Sequence, residues 1–320
     1  MLFLNESAIK EAVSMKQVIH AIDNAYKLYG SGAFHMPTRM QLQDETNTLL
    51  LMPCLTNESI GTKLITSFPN NTSHPTLQGL VILTSRETGE CQALLDGSFI
   101  TGIRTGAIGG SAIRHLANVD DNKLAIIGTG VQGLYQAIAA CTERPIKDIY
   151  LYNRTTDKLP AFSEKLKAWI PANIHIHMTS TIEEAITFAH IIICSTTSNS
   201  PVLPNDPDLL TNKLIIGIGS FQPTMREFPE VLYQLADRLY IDTEDAIIES
   251  GDVQYPLEKG YLPKDSIISM SKLVMSNEEV SRSPDKSILF KSTGMALFDV
   301  VVSQLVYWQA LKKGVGQQLT

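Results

Sequence analysis

The chain has 320 residues, a formal net charge of −7, 44% hydrophobic residues and 18% charged ones. This is the balance of a globular protein of about two domains, and the negative charge argues against a nucleic-acid partner or an anionic membrane surface. No apolar run approaches the roughly 20 residues that span a bilayer. The opening MLFLNESAIKEAV lacks the basic start and sustained apolar core of a signal peptide. Cys54, Cys91, Cys141 and Cys194 are scattered, with no CxxC pair, so they read as reduced and mostly buried, in a cytoplasmic protein.

In chain order, the first predicted helix starts at Ser14, which forms a capping box with Gln17. It buries Val18, Ile19, Ile22, Ala25 and Tyr26, and stops at Gly30. From 36 to 95 the pattern changes to short strands, TRMQLQ, TLLLMPCL, GTKLITSF, LQGLVILT and ECQALLD, with ETGE as the hairpin turn between the last two. Residues 98–116 read as a helix or helix pair carrying Arg104, followed by a polar hinge at 118–122. From Lys123 strands and helices alternate, with strands at 124–127, 149–152, 173–178, 190–194, 213–218 and 238–241, and a second capping box at Thr181 and Glu184. This alternation predicts an α/β fold with a doubly wound parallel sheet. A final helix at 292–311 lies outside the alternation and can return to the first domain.

The sharpest motif joins the first two of these strands. KLAIIGTGVQG carries Gly128, Gly130 and Gly133 in the GxGxxG spacing between a strand and a helix, and a second strand ends in Asn153-Arg154-Thr155 about twenty residues later. This is a dinucleotide-binding fingerprint: one glycine for the tight turn, one for backbone approach to a pyrophosphate, one for helix–strand packing. The helix start offers its N–H groups and positive dipole end to the phosphates. An NAD site usually ends the second strand with a carboxylate for the ribose hydroxyls. Asn153, Arg154 and Thr155, with Lys158 one turn on, instead suit a 2′-phosphate, so NADPH is expected over NADH.

The β-rich first part offers three cations, Arg39, Lys63 and Arg104. Lys63 lies in an apolar strand, where an unpaired charge is costly, and Arg104 lies among small residues that let a ligand approach. The stretches GTKLITSFPNN, ETGECQALLDGSFITGIRTGAIG, AIIGTGVQG, LYNRT, IIICSTTSN, IGSFQPTMREF, DTEDAIIESGDV and FKSTGMALFDVV resemble the ornithine cyclodeaminase/mu-crystallin family over essentially the whole chain. The resemblance implies a Rossmann domain at 118–291 and a mixed α+β substrate-binding and dimerisation domain from 1–117 and 292–320, in a homodimer. It implies that Arg39, Lys63 and Arg104 handle a substrate carboxylate and a proton; Lys63 could hand over that proton if neighbouring cations lowered its pKa. Thr105 and the turn Gly128-Thr129-Gly130-Val131-Gln132-Gly133-Leu134 then contact phosphates, with Asn153, Arg154 and Thr155 at the adenosine end. Ser195, Thr196 and Thr197 flank the nicotinamide side, with Thr76, Gln78 and Ser292 as weaker cofactor contacts.

Cyclodeaminases of the family carry an aspartate in the loop after the fifth Rossmann strand, where this chain has Phe221. A phenyl ring cannot hold an ammonium, so the resemblance points to the family's ketimine reductases. The expected substrate is a small cyclic imino acid such as Δ1-pyrroline-2-carboxylate or Δ1-piperideine-2-carboxylate. Alternatives are a Phe221 turned into the core with Asp252 or Glu249 as substitute carboxylate, an amino-acid dehydrogenase sharing the same cations, and a cofactor-loaded binding protein without turnover. His175 and His177 share a strand face but have no third ligand in the sequence pattern, so no metal is expected.

Overall fold

The computed structural model describes residues 1–276 and 278–319. They form two compact units, Met1–Arg104 with Met295–Thr320, and Thr105–Gly294. The first unit begins with β1 (Leu2–Leu4), α1 (Glu6–Ala12) and α2 (Met15–Ser31). It continues through strands β2 (Phe34–His35), β3 (Met40–Asp44), β4 (Asn47–Thr56), β5 (Ser59–Ser67), β6 (Leu77–Ser85) and β7 (Cys91–Asp96). Helix α3 (Gly97–Leu116) runs on into the second unit, so the division falls inside it, between Arg104 and Thr105, and not in the polar segment at 118–122.

Two expectations at the start of the chain are corrected. Asn5 caps a short helix, α1, ahead of the expected first one. The Ser14–Gln17 capping box does open α2, but its stop is Gly32, at φ +68°, while Gly30 remains helical. The left-handed cap favours glycine because a Cβ would be strained there.

The second unit contains β8 (Lys123–Ile127), α4 (Val131–Glu143), β9 (Asp148–Tyr152), α5 (Leu159–Lys167), β10 (His175–Met178), α6 (Ile182–Ile186), β11 (Ile191–Cys194), α7 (Pro207–Leu210) and β12 (Leu214–Gly217). It closes with α8 (Val231–Leu235), β13 (Leu239–Ile241), α9 (Ala246–Glu249), α10 (Gly251–Glu258), β14 (Ile267–Ser269), α11 (Met270–Ser276) and β15 (Ile288–Lys291). The chain then forms α12 (Ala296–Lys313) and β16 (Gln317–Gln318) in the first unit.

In the first unit the strands run in the order β16-β1-β7-β6-β5-β4-β2, with β3 on β4. Strands β4 to β7 are antiparallel, and the alternating burial of β5 turns Ser59, Gly61, Lys63 and Ile65 inward. Helix α12 lies against β4, β5 and α2 on this buried side. Gly61 is what permits the approach, since a Cβ there would come within 2.6 Å of Val300 Cγ2.

The second sheet is parallel throughout, in the order β10-β9-β8-β11-β12-β15-β13-β14. The direction of winding reverses between β8 and β11, the switch point at which doubly wound sheets bind ligands beyond their carboxyl strand ends. The α/β fold is as expected, but the pattern missed β14 and β15. The latter enters the sheet between β12 and β13. The wholly buried strands β11, β12 and β15 carry the continuous apolar runs of a sheet covered on both faces. Among the described residues, no helix is long and apolar enough to cross a membrane.

Candidate active site

The turn from β8 into α4 has the geometry a pyrophosphate requires. Gly128 takes φ +100°, and a Cβ there would lie 2.8 Å from the Ser195 carbonyl oxygen. The Gly128 N–H donates to the Tyr152 carbonyl at 2.9 Å, joining the turn to the end of β9. A Cβ on Gly133 would meet the Gly128 carbonyl oxygen at 2.3 Å, so glycine alone lets α4 pack this closely. Around Gly130, by contrast, a Cβ would meet nothing within 4 Å. Gly130 is the N-cap of α4 and supplies no side-chain cap, which leaves the first-turn N–H groups, those of Val131 and Gln132 included, to an anion. Thr129 Oγ1 and Gln132 Oε1 are buried with no hydrogen-bond partner among the described residues. An open cradle, an uncapped helix start and two orphaned polar atoms fit a dinucleotide phosphate.

At the end of β9, Asn153 Oδ1 accepts from the Thr129 N–H at 3.4 Å and its Nδ2 donates to the Thr155 carbonyl at 2.9 Å. Arg154 and Lys158 are exposed and make no ion pair among the described residues. Beyond the switch point, Ser195 Oγ donates to the Gly128 carbonyl at 2.8 Å. The Thr196 N–H and hydroxyl both donate to Glu227 Oε1, and Thr197 is exposed. Thr105 is buried, its carbonyl accepting from Gln136 Nε2, a side chain of α4. Leu134 continues α4, its N–H donating to the Gly130 carbonyl.

Ser292 does not open the last helix, and its hydroxyl donates to Asp242 Oδ2 at 2.6 Å. Asp242 also accepts from the N–H groups of Thr293 and Gly294. That turn delays the start of α12 to Ala296. Thr76 and Gln78 are exposed in the first unit, and their carbonyls accept from the Phe68 N–H and the Thr66 hydroxyl.

In the first unit two of the three expected cations meet on a carboxylate that sequence reasoning missed. Lys63 Nζ donates to Asp299 Oδ2 at 2.7 Å and Arg104 Nε to Asp299 Oδ1 at 2.9 Å, with all three side chains buried. Asp299 lies in the first turn of α12, where the helix dipole favours an anion. Arg39, half-buried between β2 and β3, lies near enough to act on Lys63 through space.

The Lys63 ammonium is pushed down to about 8. Burial is the main cause, Asp299 pulls the other way, and Arg104 and Arg39 add to the depression. The neighbouring cations lower it as expected, but desolvation on the covered face of β5 does most of it. Burial alone would raise the Asp299 carboxyl, but Arg104 and Lys63 outweigh it and hold the group below the usual carboxylate range. A signal for Asp299 was available, since ALFDVVV has one acid in an otherwise apolar helix run, and such a buried acid needs partners.

Phe221 is 47% exposed and so does not point into the core. Asp252 is wholly buried and engaged by the N–H groups of Glu227 and Phe228; Glu249 closes α9. Of the two strand histidines, His177 Nε2 bonds Asp148 Oδ1 at 2.8 Å and its ring stacks on Tyr150. Cys54 and Cys194 are buried, and the thiol of Cys54 is pushed up to about 12 by burial and by Asp299, which leaves it inert.

The parallel sheet, its glycine turn and the unfilled polar atoms around that turn define a dinucleotide-binding protein. Residues 1–314 match the ornithine cyclodeaminase/mu-crystallin family, and the chain belongs to it. It is 34% identical over 327 aligned residues to a Delta(1)-pyrroline-2-carboxylate reductase of Bacillus thuringiensis subsp. konkukian, covering 100% of this chain and 99% of that one. Among solved structures, it matches the Thermococcus litoralis Delta(1)-pyrroline-2-carboxylate reductase in complex with NADH and L-proline. The TM-score is 0.92 at 28% identity, with both chains covered completely. An archaeal alanine dehydrogenase dimer with bound NAD gives a TM-score of 0.90 at 26% identity, over 100% of this chain and 99% of that one.

Proposed function

We propose that this protein reduces a small cyclic imino acid with NADPH, Δ1-pyrroline-2-carboxylate to L-proline being the first candidate and Δ1-piperideine-2-carboxylate to L-pipecolate the second. The observation that carries this reading is the buried cluster of Lys63, Asp299 and Arg104. The bound cofactor supplies a hydride for the imine carbon. Arg104 uses Nε to hold Asp299, which leaves the outer edge of its guanidinium for a carboxylate, and Arg39 supplies the second cation of the clamp. Lys63, with its pKa near 8, is mostly protonated at neutral pH yet is acid enough to release a proton to the imine nitrogen. It regains one from water. Asp299 orients both cations and stabilises the ammonium until it is used.

Preference for NADPH is supported by the lack of a carboxylate at the end of β9 and by the exposed Arg154 and Lys158; NADH remains an acceptable second cofactor. Thr105, the residues from Gly128 to Leu134, Asn153 to Thr155 and Ser195 to Thr197 are its proposed contacts. The first unit, read as the substrate-binding and dimerisation domain, forms the homodimer. In support, its exposed apolar residues include Met40, Leu42, Leu77 and Leu80. An exposed phenyl ring at Phe221 disfavours ornithine, whose second amine would need a polar partner.

The test is absorbance-monitored oxidation of NADPH with each imine, with NADH in parallel. Rapid loss of NADPH with proline or pipecolate appearing supports the reading. Turnover of pyruvate with ammonia in place of the cyclic imines, or ammonia release from ornithine, would replace it.

A further inference from the structure

Glu227 has no part in the reaction proposed above, yet its carboxylate is the most heavily bonded acid near the switch point. It is wholly buried. Oε1 accepts from the Thr196 N–H at 2.7 Å and the Thr196 hydroxyl at 2.9 Å. Oε2 accepts from the Gly219 N–H at 2.7 Å and the Ser220 N–H at 3.3 Å. These four donors come from two loops, one leaving β11 and one leaving β12. A carboxylate has about four acceptor sites and no donor, so the set is filled. An amide in its place would turn an NH₂ toward N–H groups.

The two loops touch directly as well. A Cβ on Gly219 would lie 1.8 Å from the Thr196 carbonyl oxygen. From beneath, the backbone N–H of Glu227 donates to Asp252 Oδ1 at 2.8 Å. Lys291 Nζ lies 3.7 Å from Glu227 Oε2 and 3.6 Å from Asp252 Oδ2, with all three side chains inaccessible. Lys291 thus supplies the counter-charge for a buried anion that a merely space-filling position would not need.

In a doubly wound sheet the phosphates rest at the first glycine turn and the adenosine over the strand on one side of it. The nicotinamide half then falls beyond the carboxyl ends of the strands on the other side, which here are β11 and β12. We infer that Glu227 is a positioning residue for the nicotinamide half of the cofactor, locking the loops after β11 and β12 into one conformation by accepting from both. The inference rests on the dinucleotide reading above but not on the identity of the imine.

The test compares wild-type and Glu227→Gln protein by calorimetry, with NADPH and with 2′-phospho-ADP-ribose, the cofactor lacking its nicotinamide ring. The expected result is a Kd for NADPH raised about tenfold or more, the weight of one charge-assisted hydrogen bond, with fragment affinity within about twofold of wild type. The fluorescence enhancement of bound NADPH, which reports how firmly the ring is held, should fall in parallel. Unchanged affinities for both ligands, or equal losses for both, would overturn the inference. Should Glu227→Gln fail to fold, Glu227→Asp keeps the buried charge but shortens the side chain so that it cannot accept from both loops; the same split at about threefold is expected, and its absence overturns the inference equally. Imine turnover without the split refutes the role of Glu227 alone, and the split without imine turnover refutes the substrate alone. A chain that binds neither NADPH nor NADH refutes both.

Discussion

Replacing Asp299 by Asn keeps the shape of the buried cluster and removes its anion, leaving Lys63 and Arg104 facing a neutral amide. Breaking a buried ion pair by neutralising one partner costs about 3–5 kcal/mol. A guanidinium does not give up its proton in this pH range, so the strain falls on Lys63. Each pKa unit is worth about 1.4 kcal/mol, so losing that support lowers the ammonium by about two to four units. Starting from about 8, it is then an amine at pH 7 and has no proton to donate. Turnover at neutral pH should fall by about 10²- to 10⁴-fold, the contribution of one positioned acid, and should recover as the pH is lowered. The assay is kcat/KM for the cyclic imine from about pH 5 to 9, read as the ratio of variant to wild type at each pH, so that titration of the substrate cancels. A ratio independent of pH would refute the role assigned to Asp299, as would a variant limb still near pH 8.

Three further outcomes are expected. Because Lys63 has a folded-state pKa of about 8 against an ordinary 10.5, the unfolded chain binds more protons between those values. Wild-type stability should therefore rise across that window relative to Lys63→Met, by about 3 kcal/mol; parallel pH profiles of the urea midpoints would contradict this. Arg154→Ala should raise KM for NADPH about tenfold or more and leave KM for NADH within about twofold, and equal effects on both would sink the 2′-phosphate assignment. Phe221→Asp, at an exposed position, should shift Tm by less than about 2 °C while lowering kcat/KM for the cyclic imine; full activity would show that Phe221 does not face the substrate.

The features that the sequence disclosed were those with local physics. The glycine turn, the Ser14 and Thr181 capping boxes and the alternating strands of the first unit each depend on residues within a few positions of one another. The cluster of Lys63, Asp299 and Arg104 is different in kind. Lys63 and Asp299 are 236 positions apart, and the lone acid in the apolar run around Asp299 announces that it needs partners without saying which. Strand β15 was hidden for a related reason. Its four residues end in a lysine, which reads as a solvated strand end until Glu227 and Asp252 are found beside it. In the same way, the place of Glu227 becomes legible only when the loops after β11 and β12 are brought together.

The pairing of β1 with β16 and of α2 with α12 has a consequence for how the protein is made. A ribosome releases β4 to β7 early, but the helix that covers them emerges almost last. Until then the inward face of β5 has neither its apolar cover nor the anion that balances Lys63. The second sheet waits too, since β13 acquires its neighbour β15 only after β14 and α11 have been synthesised. Such long-range closure makes for slow folding and a long interval in which open strand faces are exposed. A chain cut short before Asp299 would carry Lys63 and Arg104 without their anion and would leave its first sheet uncovered.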